Sequence, residues 1–252
     1  MLKKDKAVCI RAKDYSETSQ IVTFFTSENG KISAIAKGSK RSKSAFDGPI
    51  EVFARGQIVF AESEKAKLAT LTEFQQQPIF ENLMKDIFAQ NACLFASELI
   101  DSLTDEHDAH PRIFDFFVHF LEDVNALEVT IEHRRDILAL VILFQLSLLK
   151  ESGLQPVLNY CPNCKTRYLP DNTQYELYFS SEANGLICRD CEANFPDKIR
   201  ATKSAGEVLY NIKKLVAVKE TVLREVEKLL IGHFSNIIGR PPRMAKYILD
   251  AR

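Results

Sequence analysis

The sequence predicts an α+β protein: an N-terminal five-stranded β-barrel, then an all-α domain interrupted by a four-cysteine insert. Three observations predict it. Residues 1 to about 78 fall into short apolar runs parted by turn residues, the pattern of a small all-β unit. From about residue 79 the apolar residues recur at helical spacing. Between Cys161 and Cys191, two Cys-x-x-Cys pairs stand with 23 residues between them.

The barrel strands read in order. Ala7 to Ala12 is the first and Gln20 to Phe25 the second. Glu28-Asn29-Gly30 makes a turn, and Lys31 to Ala36 follows it. Glu51 to Ala54 leads past Gly56 into Gln57 to Ala61, and Leu68 to Thr72 closes the set. Five short strands in about 80 residues suit a closed barrel of the oligonucleotide-binding (OB-fold) type, which carries single strands by charge and stacking. Between the third and fourth strands, Lys37, Lys40, Arg41 and Lys43 place four cations in seven residues, with Gly38 and serines between them. Such a loop either contacts phosphates or is a solvated loop that aids solubility; charge alone divides the two readings evenly. No Walker-type Gly-x-x-x-x-Gly-Lys-Ser/Thr is present. Arg11, Lys31 and the ring of Tyr15 are candidates to extend the same surface. Phe24 or Phe25 would add a stacking ring, although an aromatic in a strand more often belongs to the core.

The helical part, residues 79–252, is expected to hold an insert at about 156–196. Phe80, Leu83, Met84, Ile87, Phe88, Phe95, Leu99 and Leu103 mark the first helix. Pro111 opens the second, with Ile113, Phe114, Phe117, Phe120, Leu121, Val124 and Leu127 inward. The third runs from about Ile131 to Ser152, and Gly153 and Pro156 stop it. Ser204 to about Ile238 reads as one further helical region packing on the earlier three. Lys246 to Leu249 forms a short basic end. These stripes are core positions. The histidines are scattered, without the spacing of ligands.

The cysteine pairs carry the strongest chemical signal. Each knuckle aims two sulfurs at one point, and a hairpin between them brings the pairs together: Tyr175, Leu177 and Phe179 alternate, Glu182 to Gly185 turns, and Leu186-Ile187-Cys188 returns. Cys161, Cys164, Cys188 and Cys191 are therefore expected to hold one structural Zn2+. A lone Cys-Pro-Asn-Cys is also compatible with a redox pair, but the second pair argues against it. Four thiolates leave no open coordination position, and no His-x-x-x-His or His-x-Glu occurs, so the zinc is expected to hold a loop-rich insert together and not to catalyse. Cys9 and Cys93 fall in apolar patterns and read as buried thiols.

Composition bounds the rest. The 252 residues suffice for two or three domains. The longest apolar run, Ile137 to Leu149, is too short to span a bilayer and is broken by Gln145 and Ser147. No signal-peptide pattern opens the chain, so a cytoplasmic address, reduced thiols and no membrane contact are expected. The net charge of −1 hides a segregation. Residues 1–80 hold 13 Lys+Arg against 9 Asp+Glu, residues 81–160 hold 5 against 14, and residues 161–252 hold 15 against 11. An acidic middle thus lies between two basic ends.

Basic barrel, helical domain and cysteine insert, in this order, resemble the bacterial DNA repair protein RecO (recombination protein O) family over the whole chain. Tyr15-Ser16-Glu17 with Phe24-Phe25-Thr26 and Gly30 resembles its opening. Ala36 to Ser44 resembles its basic loop. Phe144 to Leu149, Gly153-Leu154-Gln155-Pro156 and Cys161-Pro162-Asn163-Cys164 resemble its helix-to-zinc junction. Not every member keeps the cysteines, so the resemblance does not tie activity to zinc. It implies a recombination mediator, not an enzyme. Such a protein binds single- and double-stranded DNA, anneals complementary strands, acts with RecR, engages single-stranded DNA-binding protein (SSB) and helps load RecA onto coated strands. For the acidic SSB tail a cation-rimmed apolar groove is needed, and Arg134, Arg135 and Lys150 are the cations offered for it; surface ion pairing is their plainer role. The alternative from another class is a zinc-ribbon RNA-binding or transcription-associated adaptor, which barrel and ribbon alone would allow.

Overall fold

The computed structural model describes residues 2–41, 44, 46, 48–62, 67–78, 80–128, 133–168 and 176–250. Lys43, Tyr175 and the expected start of the third helix at Ile131 lie outside them. By backbone contacts the chain divides into two compact units. One is Met1–Lys85 with Ser97–Asn125; the other is Asp86–Ala96 with Ala126–Arg252.

The first unit is built on five strands: β1 (Leu2–Asp14), β2 (Gln20–Thr26), β3 (Gly30–Ala36), β4 (Arg55–Ala61) and β5 (Ala69–Gln76). They close into a barrel in the order β1-β2-β3-β5-β4, the OB-type barrel that the sequence predicts. Closure depends on the length of β1. Its residues from Ala7 to Asp14 pair with β2, and those from Leu2 to Val8 pair with β4. The ladder shifts between Cys9 and Arg11. There the Cys9 amide donates to the Ala54 carbonyl at 2.8 Å, and the Phe53 amide donates to the Cys9 carbonyl at 2.8 Å. Glu51–Ala54 is thus not the extended lead-in expected from sequence: it is a turn with Phe53 at φ 69°, stitched to the β1 irregularity.

Alternation along the strands fills the barrel with Val22, Phe24, Ile32, Ile58, Phe60, Leu71 and Phe74, all at most 2 % exposed. Phe24 and Phe74 meet edge to face at 5.2 Å. Phe25, on the opposite face of β2, packs on Phe114 at 6.2 Å. Both aromatics of the Phe24-Phe25 pair are therefore core, and neither offers a stacking face. Gly30 opens β3 at φ 66°; a Cβ there would lie 2.2 Å from the Asp108 carbonyl oxygen, so only glycine lets segment 101–108 lie along β3.

The helices follow: α1 (Ile87–Leu103), α2 (Pro111–Ala126) and α3 (His133–Glu151). Helix α1 begins later than its apolar spacing suggests. A 3-10 turn at Leu83–Lys85 breaks the phase, and the Asp86 carboxylate accepts the Ala89 amide at 2.6 Å, capping the helix. Met84 and Ile87 consequently face solvent. Helix α2 buries Ile113, Phe114, Phe117, Phe120, Leu121 and Val124, as its spacing predicts, but ends at Ala126, so Leu127, expected inward, lies beyond it and is half-buried.

In the second unit, α3 packs on α5 (Glu220–Ile238). The intervening chain forms β6 (Leu177–Ser180), β7 (Gly185–Cys188), β8 (Ile199–Ala201) and α4 (Lys203–Tyr210); α6 (Ala245–Leu249) comes last. The sheet order is β7-β6-β8. The predicted hairpin is β6–β7, while β8 carries no signal of its own in three residues. The single helical region expected over 204–238 is broken. Thr202 caps α4, a 3-10 stretch spans Ile212–Ala217, and Val218 is extended before α5 begins. Gly239, left-handed at φ 76°, ends α5. Among the described residues no helix is long and apolar enough to cross a membrane.

Candidate metal centre and nucleic-acid interface

The four cysteines converge. Their Sγ atoms all lie within 4.8 Å of one another. Cys164 and Cys188 stand 3.6 Å apart, close to the roughly 3.8 Å that separates thiolates held about 2.3 Å from one tetrahedral metal. Local structure explains the convergence. The Lys165 amide donates to the Cys161 carbonyl at 2.8 Å, and the Cys161 amide to the Thr166 carbonyl at 2.9 Å. Lys165 turns the chain at φ 64°. Cys188 ends β7 and caps the 3-10 helix Arg189–Asn194, which carries Cys191. Asn163 Nδ2 donates to Cys191 Sγ at 3.2 Å. Cys161 and Cys191 are buried and Cys164 is exposed. The Thr166 hydroxyl and backbone hold the Cys164 thiol down to about 6, whereas desolvation pushes Cys188 up to about 12. A cation bound at the centre would stabilise all four as thiolates. The donor set fits a closed four-sulfur site. Cys9 and Cys93 stand apart from it as buried thiols, and desolvation pushes Cys9 up to about 12 and Cys93 well above the usual thiol range.

The basic loop is rooted firmly. Gln20 Oε1 accepts from Ser39 Oγ at 2.9 Å and from the Ile50 amide at 2.9 Å, and Gln20 Nε2 donates to the Ile50 carbonyl at 3.1 Å. The Lys40 amide donates to the Thr18 carbonyl at 3.1 Å. On this root Lys37 and Arg41 are exposed. The Lys40 ammonium pairs with Asp14 at 2.6 Å. Tyr15, 62 % exposed, follows Asp14 directly. The remaining cations of the predicted surface are placed otherwise. Lys31 is buried, and its ammonium donates to the Asp101 carbonyl at 2.6 Å and to Asp101 Oδ1 at 3.1 Å. Arg11 Nη2 reaches the same carboxylate at 2.5 Å. Lys31 thereby serves as a strut between β3 and α1, with Arg11 joined to it through Asp101.

In the second unit, Arg135 is also a strut. It donates to the carbonyls of Leu215, Val216 and Val218 and pairs with Asp136 at 2.5 Å, closing the end of the 3-10 stretch. The Arg134 guanidinium lies 4.9 Å over the Phe88 ring. Lys150 alone of the three lines a groove of about 610 Å³, with Leu143, Leu146, Leu158, Tyr160 and Leu209 among its walls. The apolar walls were missed by sequence reasoning. Their trace in the sequence is the excess of Leu around α3, where Leu143 falls off the buried stripe and is 40 % exposed.

A closed OB-type barrel bearing a cation-rich loop, with a four-thiol knuckle pair in the helical unit, has the build of a nucleic-acid-handling protein. Residues 1–78 match the model of the recombination protein O N terminal, and residues 84–246 that of the recombination protein O C terminal. The chain is 30% identical over 254 residues to the DNA repair protein RecO of Desulfatibacillum aliphaticivorans, covering 98% of this chain and 96% of that protein. It is 28% identical over 246 residues to DNA repair protein RecO of Bacillus subtilis (strain 168), covering 95% and 91%. The chain belongs to the recombination protein O family, and its role lies in DNA repair and recombination.

Proposed function

We propose that this chain is a recombination mediator and not an enzyme. It binds single- and double-stranded DNA, anneals complementary strands, and with RecR helps load RecA onto strands coated by SSB. Family membership across nearly the whole chain carries this reading. The physics supports it. Annealing requires two phosphate backbones to approach, and clustered cations permit this by displacing condensed counterions. No nucleophile or proton relay is needed. The work is bacterial and cytoplasmic.

Residues 1–78 act as the nucleic-acid-binding domain, and 79–252 as the helical domain bearing the zinc ribbon. Lys37, Lys40, Arg41 and Lys43 make the phosphate contacts, with Arg11 on the flank and the exposed ring of Tyr15 available for a base to stack on. The groove beside Lys150 suits the SSB tail: apolar walls take its hydrophobic end, and the ammonium meets its carboxylates. The four cysteines hold one structural Zn2+, since four thiolates in a closed shell are the ligand set that zinc favours. The test is a salt titration of DNA binding. The wild type should lose affinity steeply with salt, for single strands and duplex alike. Weak, salt-insensitive binding to DNA beside strong binding to RNA would overturn the reading and favour an adaptor on RNA.

A further inference from the structure

A polar cleft of about 590 Å³ opens on the outer face of the barrel, with α2 as its far wall. Strand register builds its floor. Lys6, Gln57 and Gln75 lie side by side across β1, β4 and β5. One step of two residues along, Val8 pairs with Arg55, and the Gln77 amide donates to the Arg55 carbonyl at 2.9 Å. The row between these two, Ala7, Gly56 and Gln76, faces the other way by alternation. Gly56 is obligatory there: a Cβ would stand 2.0 Å from the Gln75 carbonyl oxygen.

The side-chain amides of Gln57, Gln75 and Gln77 line the cleft, Gln57 half-buried and the other two exposed, so all three are open to a ligand. Arg55 pairs with Glu122 and lies 4.5 Å over the Phe80 ring, yet its Nε is buried without a partner. On the α2 wall, His119 Nδ1 donates to the Asp115 carbonyl at 2.7 Å, which leaves Nε2 as a free acceptor in the neutral ring. Two carboxylates, Asp115 and Glu122, balance Lys6 and Arg55 along the lining. That balance rejects a phosphate within the cleft. It suits an uncharged, planar ligand with alternating donors and acceptors on its edge.

We infer that this cleft takes one unstacked nucleobase of a bound single strand, an inference that rests on the DNA-binding reading. The volume lies within the roughly 300–1,000 Å³ of ligand sites. Glutamine amides present a donor and an acceptor side by side, the pattern that pairs with a base edge. Lys6, the exposed cation at the β1 end of that row, meets the phosphate beside that base.

The experiment compares oligothymidylate with an abasic deoxyribose-phosphate oligomer of the same length, each binding to the full chain at fixed salt. Wild type should prefer the base-bearing strand by about tenfold or more, as a gain of at least about 1.4 kcal/mol implies. The Gln57→Ala/Gln75→Ala variant should lose most of that preference while its abasic affinity and salt slope stay unchanged. Val118→Trp, which fills the cleft from the α2 wall, should do the same. Variants that keep the wild-type preference overturn the cleft inference alone. Failure of wild type to bind either strand overturns the DNA-binding reading and this inference with it.

Discussion

Glu227 on α5 and Gln145 on α3 are both fully buried, and Gln145 Nε2 donates to Glu227 Oε1 at 2.9 Å. Desolvation raises the Glu227 carboxyl to about 8, against the opposing pull of the Gln145 bond. Glu227 Oε2 and Gln145 Oε1 both lack partners, so a proton on the carboxyl supplies a donor where two acceptors would otherwise go unmet. The sign follows from linkage. Below the ordinary value of 4.5 the folded and unfolded chains both hold this proton. Between 4.5 and about 8 only the folded chain does, so this contribution to stability falls as pH rises, by at most about 1.4 kcal/mol per unit. Glu227→Gln removes the titration and keeps the shape. Urea unfolding at pH 5 and pH 8 should show the variant gaining on wild type by a few kcal/mol at the higher pH; an equal gap at both would contradict the assignment. The cations of the barrel unit obey a different rule. Lys31 and Arg11 share Asp101, while Lys37 and Arg41 project from the loop. Replacing Lys37, Lys40, Arg41 and Lys43 with Ala should weaken DNA binding across all sequences and lower the salt slope by about one for each phosphate no longer neutralised. An unchanged slope would move the phosphate-binding surface elsewhere.

Ribbon and barrel differ in what holds their strands. The barrel has its own core of Phe24, Phe60, Phe74 and Ile58. The short strands β6, β7 and β8 span four, four and three residues; they bury Leu177, Phe179, Leu186 and Ile187 and pack on α4 and α5, and a metal at the four thiolates would add folding energy to this small core. Purified, reduced protein should carry about one zinc per chain, and Cys161→Ala should release it and expose the ribbon to protease while leaving the barrel intact. Metal analysis that finds none would refute the zinc assignment. This centre was legible from spacing, because a Cys-x-x-Cys knuckle is a local device. The five strands were legible from alternation for the same reason. The breaks were not. Asp86 ends one phase and starts another by capping α1, and the 3-10 stretch Ile212–Ala217 is closed by Arg135 from α3. The second of these endings depends on a partner distant in sequence, and periodicity registers neither. The cleft floor likewise exists only through the register of three strands.

Across the chain as a whole, the acidic middle of the sequence does not stay in one place. Ser97–Asn125, with Asp101 and Glu122, belongs to the compact unit of the basic barrel, where those carboxylates neutralise Arg11, Lys31 and Arg55. Part of the barrel's positive charge is therefore taken up by internal pairing, while Lys37 and Arg41 of the loop stay exposed. The groove beside Lys150 belongs to the other unit, so under the proposed reading binding strands and engaging their coat protein would fall to separate parts of the chain. Whether one protein does both is read from the rate at which two labelled complementary oligonucleotides, pre-coated with SSB, pair in the presence of this chain, followed by energy transfer. Pairing on the coated strands should be faster with the protein than without it, and Lys150→Glu and the loop substitutions should each reduce that gain independently. Acceleration confined to bare strands would contradict the partner assignment, and no acceleration on either would contradict the mediator itself.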